Sequence, residues 1–293
     1  MTRAYWPMLF VLASVWGASY LFIKVAVEDI EPAPMMFFRL ALAALLLLPL
    51  VAAQGKLGEV RRAWRAGLIL GVVNGAIPFT LIAWGEKHID SGVAAIANAT
   101  VPLFVALLLI QFLPTERLSR ARLAGVLLGL VGVAVLTGGQ PAAGGWWAVA
   151  GTLAVVVASL SYGIAGVYGQ VRVQGTAGPV LATASMIGGA LALLPIAVWQ
   201  LPDEVPSGKA IGSLLAMTVL GTAFAQLILF RMLRLHGSAR LSLVTYLMPP
   251  VALFYGALLL DEAIRPEAVA GLALILVGVA VGSGKMRRRP QHA

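Results

Sequence analysis

The sequence predicts an all-α polytopic membrane protein of ten transmembrane helices, arranged as two inverted five-helix repeats over residues 1–140 and 141–293. Three observations predict it. First, 60% of the 293 residues are hydrophobic and 11% charged, and the mean hydropathy is +0.93. A soluble domain is about half apolar and about a quarter charged. So few charges cannot cover so much apolar surface in water. The solvent is therefore lipid, and neither a soluble enzyme nor a disordered chain fits. Second, apolar stretches long enough to cross a bilayer recur ten times along the chain. Third, the two halves share landmarks at a spacing of 146 residues.

The stretches run roughly over 4–27, 33–53, 64–86, 91–113, 121–138, 146–169, 177–200, 209–232, 239–260 and 266–284. Short polar links separate them, such as Glu28-Asp29-Ile30-Glu31-Pro32, Gln54-Gly55-Lys56, Gly138-Gly139-Gln140-Pro141 and Leu201-Pro202-Asp203-Glu204. No room remains for a soluble domain. The first stretch has the Arg3 and the Gly17-Ala18-Ser19 of a signal peptide, but it is long and carries Trp6 and Trp16, which favours a span.

Loop charges set the orientation. Of 21 Lys and Arg, 16 fall on the side of the N-terminus, in Arg3, 56–65, 117–122, Arg172, 231–240 and 285–289. The other side holds only Lys24, Lys87, Lys209 and Arg265, and Arg39 lies inside the second span. The positive-inside rule then puts both termini in the cytoplasm, as expected of a bacterial inner (plasma) membrane protein. The basic tail Lys285 to Arg289 reads as a topology signal and inner-leaflet anchor. The net charge of +9 thus points to the lipid bilayer as partner and not to nucleic acid.

The duplication pairs Pro49 with Pro195, Gly75 with Gly221, and Glu116, Gly125 and Gly132 with Glu262, Gly271 and Gly278. Five is an odd number of crossings, so the second copy starts on the opposite side and is inverted. Inverted repeats are the usual frame of alternating-access carriers. One chain then holds both halves, and a functional monomer is expected.

Polar residues in lipid face a cavity or a neighbouring helix. The fifth and tenth spans carry almost none. Their small residues Gly125/Gly129 and Gly278/Gly282 repeat every four positions, which suits close packing, so both read as scaffold. Candidate substrate contacts gather elsewhere. They are Trp16 and Tyr20 on the first span, Asn74, Pro78 and Trp84 on the third, and Asn98 and Pro102 on the fourth. In the second half they are Ser161 and Tyr162 on the sixth span, Gln226 on the eighth, and Tyr246 and Pro249 on the ninth. Asn74 and Pro78 stand four apart, which puts them on one helical face. Proline also frees a carbonyl one turn back, which in lipid needs a partner or a wet cavity. A second reading stays open for each: the amides as bonds between helices, the prolines as kinks, and Gly67/Gly71/Gly75 as a packing seam. Trp6, Trp146, Trp147 and Trp199 near span ends suit the interfacial belt. Lys24 and Arg39 lie toward the outer face, where each either snorkels or meets an anionic group.

Several chemistries lack their residues. There is no Cys, and His88, His236 and His292 lie far apart in sequence, so neither metal nor other cofactor is expected. Gly55-Lys56, Gly208-Lys209 and Gly284-Lys285 are not followed by Ser or Thr, so no nucleotide phosphate loop is present. No acid falls in the middle of a span, which favours facilitated or weakly coupled transport over proton antiport.

Taken in order, these residues resemble the ten-helix EamA-type members of the drug/metabolite transporter superfamily across nearly the whole chain. The likeness rests on Trp16-Gly17-Ala18-Ser19 with Lys24, and on Pro34 followed by Phe38-Arg39. It continues through Ala94-Ala95, Thr100-Val101-Pro102 and Glu116, and in the second half through Met248-Pro249 and Asp261-Glu262. Leu160-Ser161-Tyr162 departs from the pattern where a Trp-Gly pair would match Trp16. The resemblance implies export of small metabolites, amino acids among them, by alternating access. Drugs or another metabolite class form the alternative cargo, and a non-transport membrane protein a more distant one.

Overall fold

Runs of Leu, Val and Ala interrupted only by Gly, Pro and short polar links satisfy their backbone hydrogen bonds within each segment, which is what lipid demands. The computed structural model describes residues 5–112, 120–138, 145–173, 175–236, 241 and 243–282. Arg3, Glu116, Arg117, the link at 139–141 and the tail 285–289 lie outside the described residues. Within them the regular structure is helical, without strands.

The first half comprises α1 (Tyr5–Ala26), α2 (Pro32–Ala53), α3 (Leu57–Arg62), α4 (Trp64–Gly71), a π-helical segment (Val72–Ala76), α5 (Ile77–Glu86), α6 (Ser91–Asn98), α7 (Val101–Phe112) and α8 (Arg120–Gly138). The second comprises α9 (Gly145–Arg172), α10 (Gly178–Trp199), α11 (Gly208–Thr218), a second π segment (Val219–Phe224), α12 (Ala225–His236), α13 (Val244–Leu259) and α14 (Pro266–Gly282). Eight helical stretches are long and apolar enough to cross a membrane. The expected ninth and tenth spans appear as apolar helices of 16 and 17 residues, short of the ~20 that span hydrocarbon without adjustment.

Three local departures from plain helices bear on the site. The fourth stretch breaks at Ala99-Thr100, because Pro102 has no N–H to give the Asn98 carbonyl and its ring clashes with it. Thr100 Oγ1 instead donates to the Ala97 carbonyl at 2.7 Å. The third stretch widens into a π turn just before Pro78, where the Ile77 N–H reaches back five residues to Val72. The eighth stretch widens at the matching place, and there Thr222 Oγ1 donates to the Met217 carbonyl at 3.3 Å. One extra residue per turn rotates everything beyond it by about 100°. Asn74, inside this turn, is exposed while Pro78, just beyond it, is buried.

Packing crosses the two halves. The first helix of each half lies against the third and fourth stretches of the other: α1 on α11, α12 and α13, and α9 on α5, α6 and α7. Equivalent helices also meet each other, as α2 with α10, α6 with α13 and α8 with α14. The α8–α14 pair is antiparallel, Gly125 facing Gly278 and Gly132 facing Gly271. Glycines allow this approach, since a methyl group at Gly278 would lie 2.6 Å from the Gly125 carbonyl oxygen. Gly67 and Gly71 form a like seam against Ala184, Gly188 and Gly189 of α10. These glycines are packing surfaces, as the small-residue spacing suggested.

Candidate functional site

The polar interior is assembled where α1, α2, α5, α6 and α9 meet the two π segments. Arg39 of α2 is its one cation. Seven residues beyond the start of α2 it is only 5% exposed, so it does not snorkel to the surface. Its Nε donates to Thr222 Oγ1 at 3.0 Å, and its guanidinium sits 4.2 Å from the Phe79 ring centroid. Among the described residues no carboxylate pairs with it within 4 Å. The Phe79 ring meets Tyr162 edge-on at 6.4 Å. Gly221 leaves room for this arrangement, since a methyl there would collide with Ser19 Oγ and stand 3.8 Å from Arg39.

A second set of polar groups crosses beside it. Asn98 Nδ2 donates to Tyr20 Oη at 2.8 Å, and Ser159 Oγ donates to Asn98 Oδ1 at 3.1 Å. Ser161 Oγ donates to the Val73 carbonyl at 2.7 Å, in the first π segment. A π turn leaves carbonyls off the usual ladder, and here a serine from the other half takes one up. Tyr20, Tyr162 and Arg39 lie close enough to interact electrostatically. Five predicted residues, Tyr20, Arg39, Asn98, Ser161 and Tyr162, thus converge.

Asn98→Leu would remove the bonds to Tyr20 and Ser159, although Ser159 Oγ keeps the Val155 carbonyl at 3.0 Å. Interhelical hydrogen bonds in membranes contribute about 0.6 kcal/mol on average and up to about 1.7. The variant is expected to melt a few degrees lower in detergent and to transport more slowly; unchanged melting together with unchanged flux would remove Asn98 from both roles.

Other predicted residues fall elsewhere. Trp84 packs edge-on against His88 at 4.8 Å and Trp147 at 6.3 Å, and Trp147 is 59% exposed. Partial burial and the neighbouring Lys87 lower the His88 imidazole from its ordinary value, and the ring stacks on Trp147 at 5.2 Å. Trp16 packs in a smaller apolar cluster with Leu247 and Met248, around Tyr5, Leu9 and Met232. Gln226 and Pro102 are half-buried, Tyr246 packs on the main core, and Pro249 is buried in α13. Lys24 does not snorkel either. Its Nζ donates to the carbonyls of Glu86 at 2.7 Å and Ile89 at 2.8 Å, closing the C-terminal end of α5.

Sequence reasoning missed Phe79, which reads as plain core, and Glu86. Glu86 is the last residue of the third stretch, not mid-span, and its side chain is fully buried. The available signal was the shortness of the link, with only Lys87-His88-Ile89-Asp90 before the next helix.

The end of the bundle with links 27–31, 87–90, 200–207 and 260–265 is tied shut. Lys87 pairs with Glu31 at 2.6 Å. Asp29 accepts from the Ser207 N–H at 2.9 Å, and bonding from Ser207 holds its carboxyl below the usual aspartate range. Glu262 accepts from Ser91 N and Oγ at 2.8 Å each and from Gly92 N at 3.3 Å, a carboxylate on the N-terminus of α6. A methyl at Gly256 would collide with Glu262 Oε2. Gly256→Ala should therefore loosen this tie by about 1 kcal/mol per bond lost, roughly fivefold in population. The chain has no cysteine, so Val93→Cys beneath the tie is a clean reporter. Its labelling by a water-soluble maleimide should rise in the Gly256→Ala background, and equal labelling would mean the tie does not hold this end shut.

Comparison with known proteins agrees with an all-helical membrane fold built of two copies. The EamA-like transporter family matches residues 4–138 and again 149–283. The chain is 30% identical to the probable terminal-alkyne amino-acid exporter of Streptantibioticus cattleyicolor, over 95% of this chain and 93% of that protein. It is 27% identical to the uncharacterized inner membrane transporter YedA of Escherichia coli, over 92% of this chain and 88% of that one. A solved crystal structure covers 97% of this chain and 98% of its own with a TM-score of 0.65 at 21% identity, a likeness of fold alone. With two family copies and membrane-length helices, the chain belongs to the EamA-like transporter family, in the drug/metabolite transporter superfamily, and is a multi-pass membrane transporter of small molecules.

Proposed function

We propose that the protein exports amino acids or similar small amphiphilic metabolites across the bacterial inner membrane. It does so by alternating access of two inverted five-helix repeats, residues 1–140 and 141–293, with both termini cytoplasmic and one chain as the working unit. The observation that carries the cargo reading is Arg39. A guanidinium is held in the interior with no carboxylate of its own among the described residues, beside the rings of Phe79, Tyr20 and Tyr162. That pairing is complementary to a substrate with a carboxylate and an apolar side chain, since Arg presents a fork matched to carboxylates. The named function of the Streptantibioticus relative supports the same class.

The antiparallel α8–α14 seam and the π turns at matching places support inversion, because copies pointing the same way would bring equivalent helices together in parallel. The tied end corresponds to the outer face by the charge rule. Its contacts between halves, Asp29 with Ser207 and Glu262 with Ser91, are those a carrier breaks on opening outward.

The test is a panel of radiolabelled amino acids in preloaded proteoliposomes. Efflux of a subset, competed by the same compounds unlabelled, is expected. Efflux of organic cations or neutral metabolites with no amino acid moved would overturn the cargo reading.

A further inference from the structure

Glu86 is the buried ionisable group with no part in the substrate reading. Its side chain is 0% exposed, and no described residue donates a hydrogen bond to either carboxylate oxygen. Native proteins give nearly every buried polar atom a partner. A bare carboxylate out of water costs several kcal/mol. We infer that Glu86 is a proton-binding site, and that export is coupled to proton movement through it. The inference rests on the transporter reading above and names the coupling ion for that reading.

The surroundings select a proton. Lys24 and Tyr20 of α1, Arg39 of α2 and Glu262 of the link between α13 and α14 are the charged and titratable groups whose fields reach Glu86. Helix α9 meets this end of α5 through Gly151 and Val155, which carry no titratable side chain. Lys24 directs its ammonium to the backbone carbonyls of Glu86 and Ile89, and it forms no ion pair with the Glu86 carboxylate. Its charge nevertheless opposes any second cation. A metal ion or organic ammonium would also need volume that a fully enclosed carboxyl does not have. A proton needs none.

The position suits coupling. Lys24 bridges α1 to the end of α5 beside the Glu31–Lys87 pair, at the tied end of the bundle. Opening that end separates Lys24 from the two carbonyls and admits water to Glu86. A proton from the outer phase then adds to a carboxylate oxygen, and the neutral carboxyl is what the closed state can enclose. Tyr20, one turn back on α1 and bonded to Asn98, marks the polar route toward the opposite phase, where the proton leaves. Substrate moves outward and the proton inward. The absence of a mid-span acid had argued against such coupling; the acid lies instead at a span end that the fold encloses.

The test uses the full chain in proteoliposomes with an internal pH-sensitive dye and the membrane potential clamped. With one proton exchanged per substrate, a pH difference of one unit should concentrate substrate about tenfold in the wild type. Substrate flux should in turn move protons. Glu86→Gln, which fixes a neutral side chain, should abolish both effects and make exchange insensitive to pH, and Glu86→Asp should restore coupling in part. Coupling that survives in Glu86→Gln, or wild-type transport without proton flux, overturns the proposal. Should Glu86→Gln fail to fold by size exclusion, the wild type decides through an apolar carbodiimide, which attacks protonated carboxyls. Mass spectrometry should find the adduct on Glu86, more at acid pH, and its absence there overturns the proposal. Wild-type vesicles that exchange no amino acid count against the cargo reading instead, and the carbodiimide result still decides Glu86.

Discussion

Arg39→Gln is expected to lower amino-acid efflux by about 30-fold or more while leaving the protein at least as stable as the wild type. Losing one partner of a buried hydrogen-bonded charge pair costs about 2 kcal/mol or more, and that pair forms only when a substrate carboxylate is present. The free protein, by contrast, carries an expense. A cation at the centre of a span costs about 3 kcal/mol on insertion scales. Arg39 recovers part of this from Thr222 and the Phe79 ring but has no carboxylate within 4 Å among the described residues. Replacing it with a neutral amide removes that cost. Arg39→Lys should remain impaired, because a point charge does not reproduce the two-pronged contact. The checks are efflux from preloaded vesicles and melting in detergent, on the same preparations. A variant that melts earlier and transports normally would make Arg39 a structural strut and leave the cargo class without its anchor.

The largest effect on folding is expected from Gly278→Leu. Even a methyl at this position would lie 2.6 Å from the Gly125 carbonyl oxygen and 2.8 Å from the Gly129 nitrogen. These are backbone atoms, which cannot swing aside, so α8 and α14 must separate along their seam. Overpacking a tight core costs about 1–3 kcal/mol and more when backbone is the obstacle. Most of the variant should elute as aggregate and the remainder melt far earlier. Gly212→Leu is the matched comparison. Gly212 sits on α11 with nothing within 4 Å of where its Cβ would be. There leucine should be tolerated, or stabilise by up to about 1 kcal/mol through helix propensity. Equal behaviour of the two variants would mean the α8–α14 contact does not support the fold.

Membership of a transporter family was readable because it rests on sums along the chain. Scaffold and polar spans could be told apart, since the helices with almost no polar residues, α8 and α14, pack on each other. Tyr20, Arg39, Asn98, Ser161 and Tyr162 were found because polar groups are scarce in apolar spans and each one stands out. The surroundings of Trp84 were not legible, because tryptophan is used both in cavities and at interfaces; the fold sets it against His88 and Trp147. The exposure of Asn74 was not legible, because a π turn is invisible to a regular spacing rule.

By itself the sequence determined the solvent, the number and order of apolar stretches, the duplication and the scarcity of charge inside. These are additive properties that each residue carries wherever it stands. Tertiary structure alone decided which way the polar side chains face and what surrounds them. It left Asn74 exposed, closed Lys24 onto two carbonyls, set Arg39 against Thr222 and the Phe79 ring, and sealed Glu86 at a span end. The physical reason is that burial and partnership belong to pairs of segments brought together from both halves, and a local turn of about 100° is enough to change the partner.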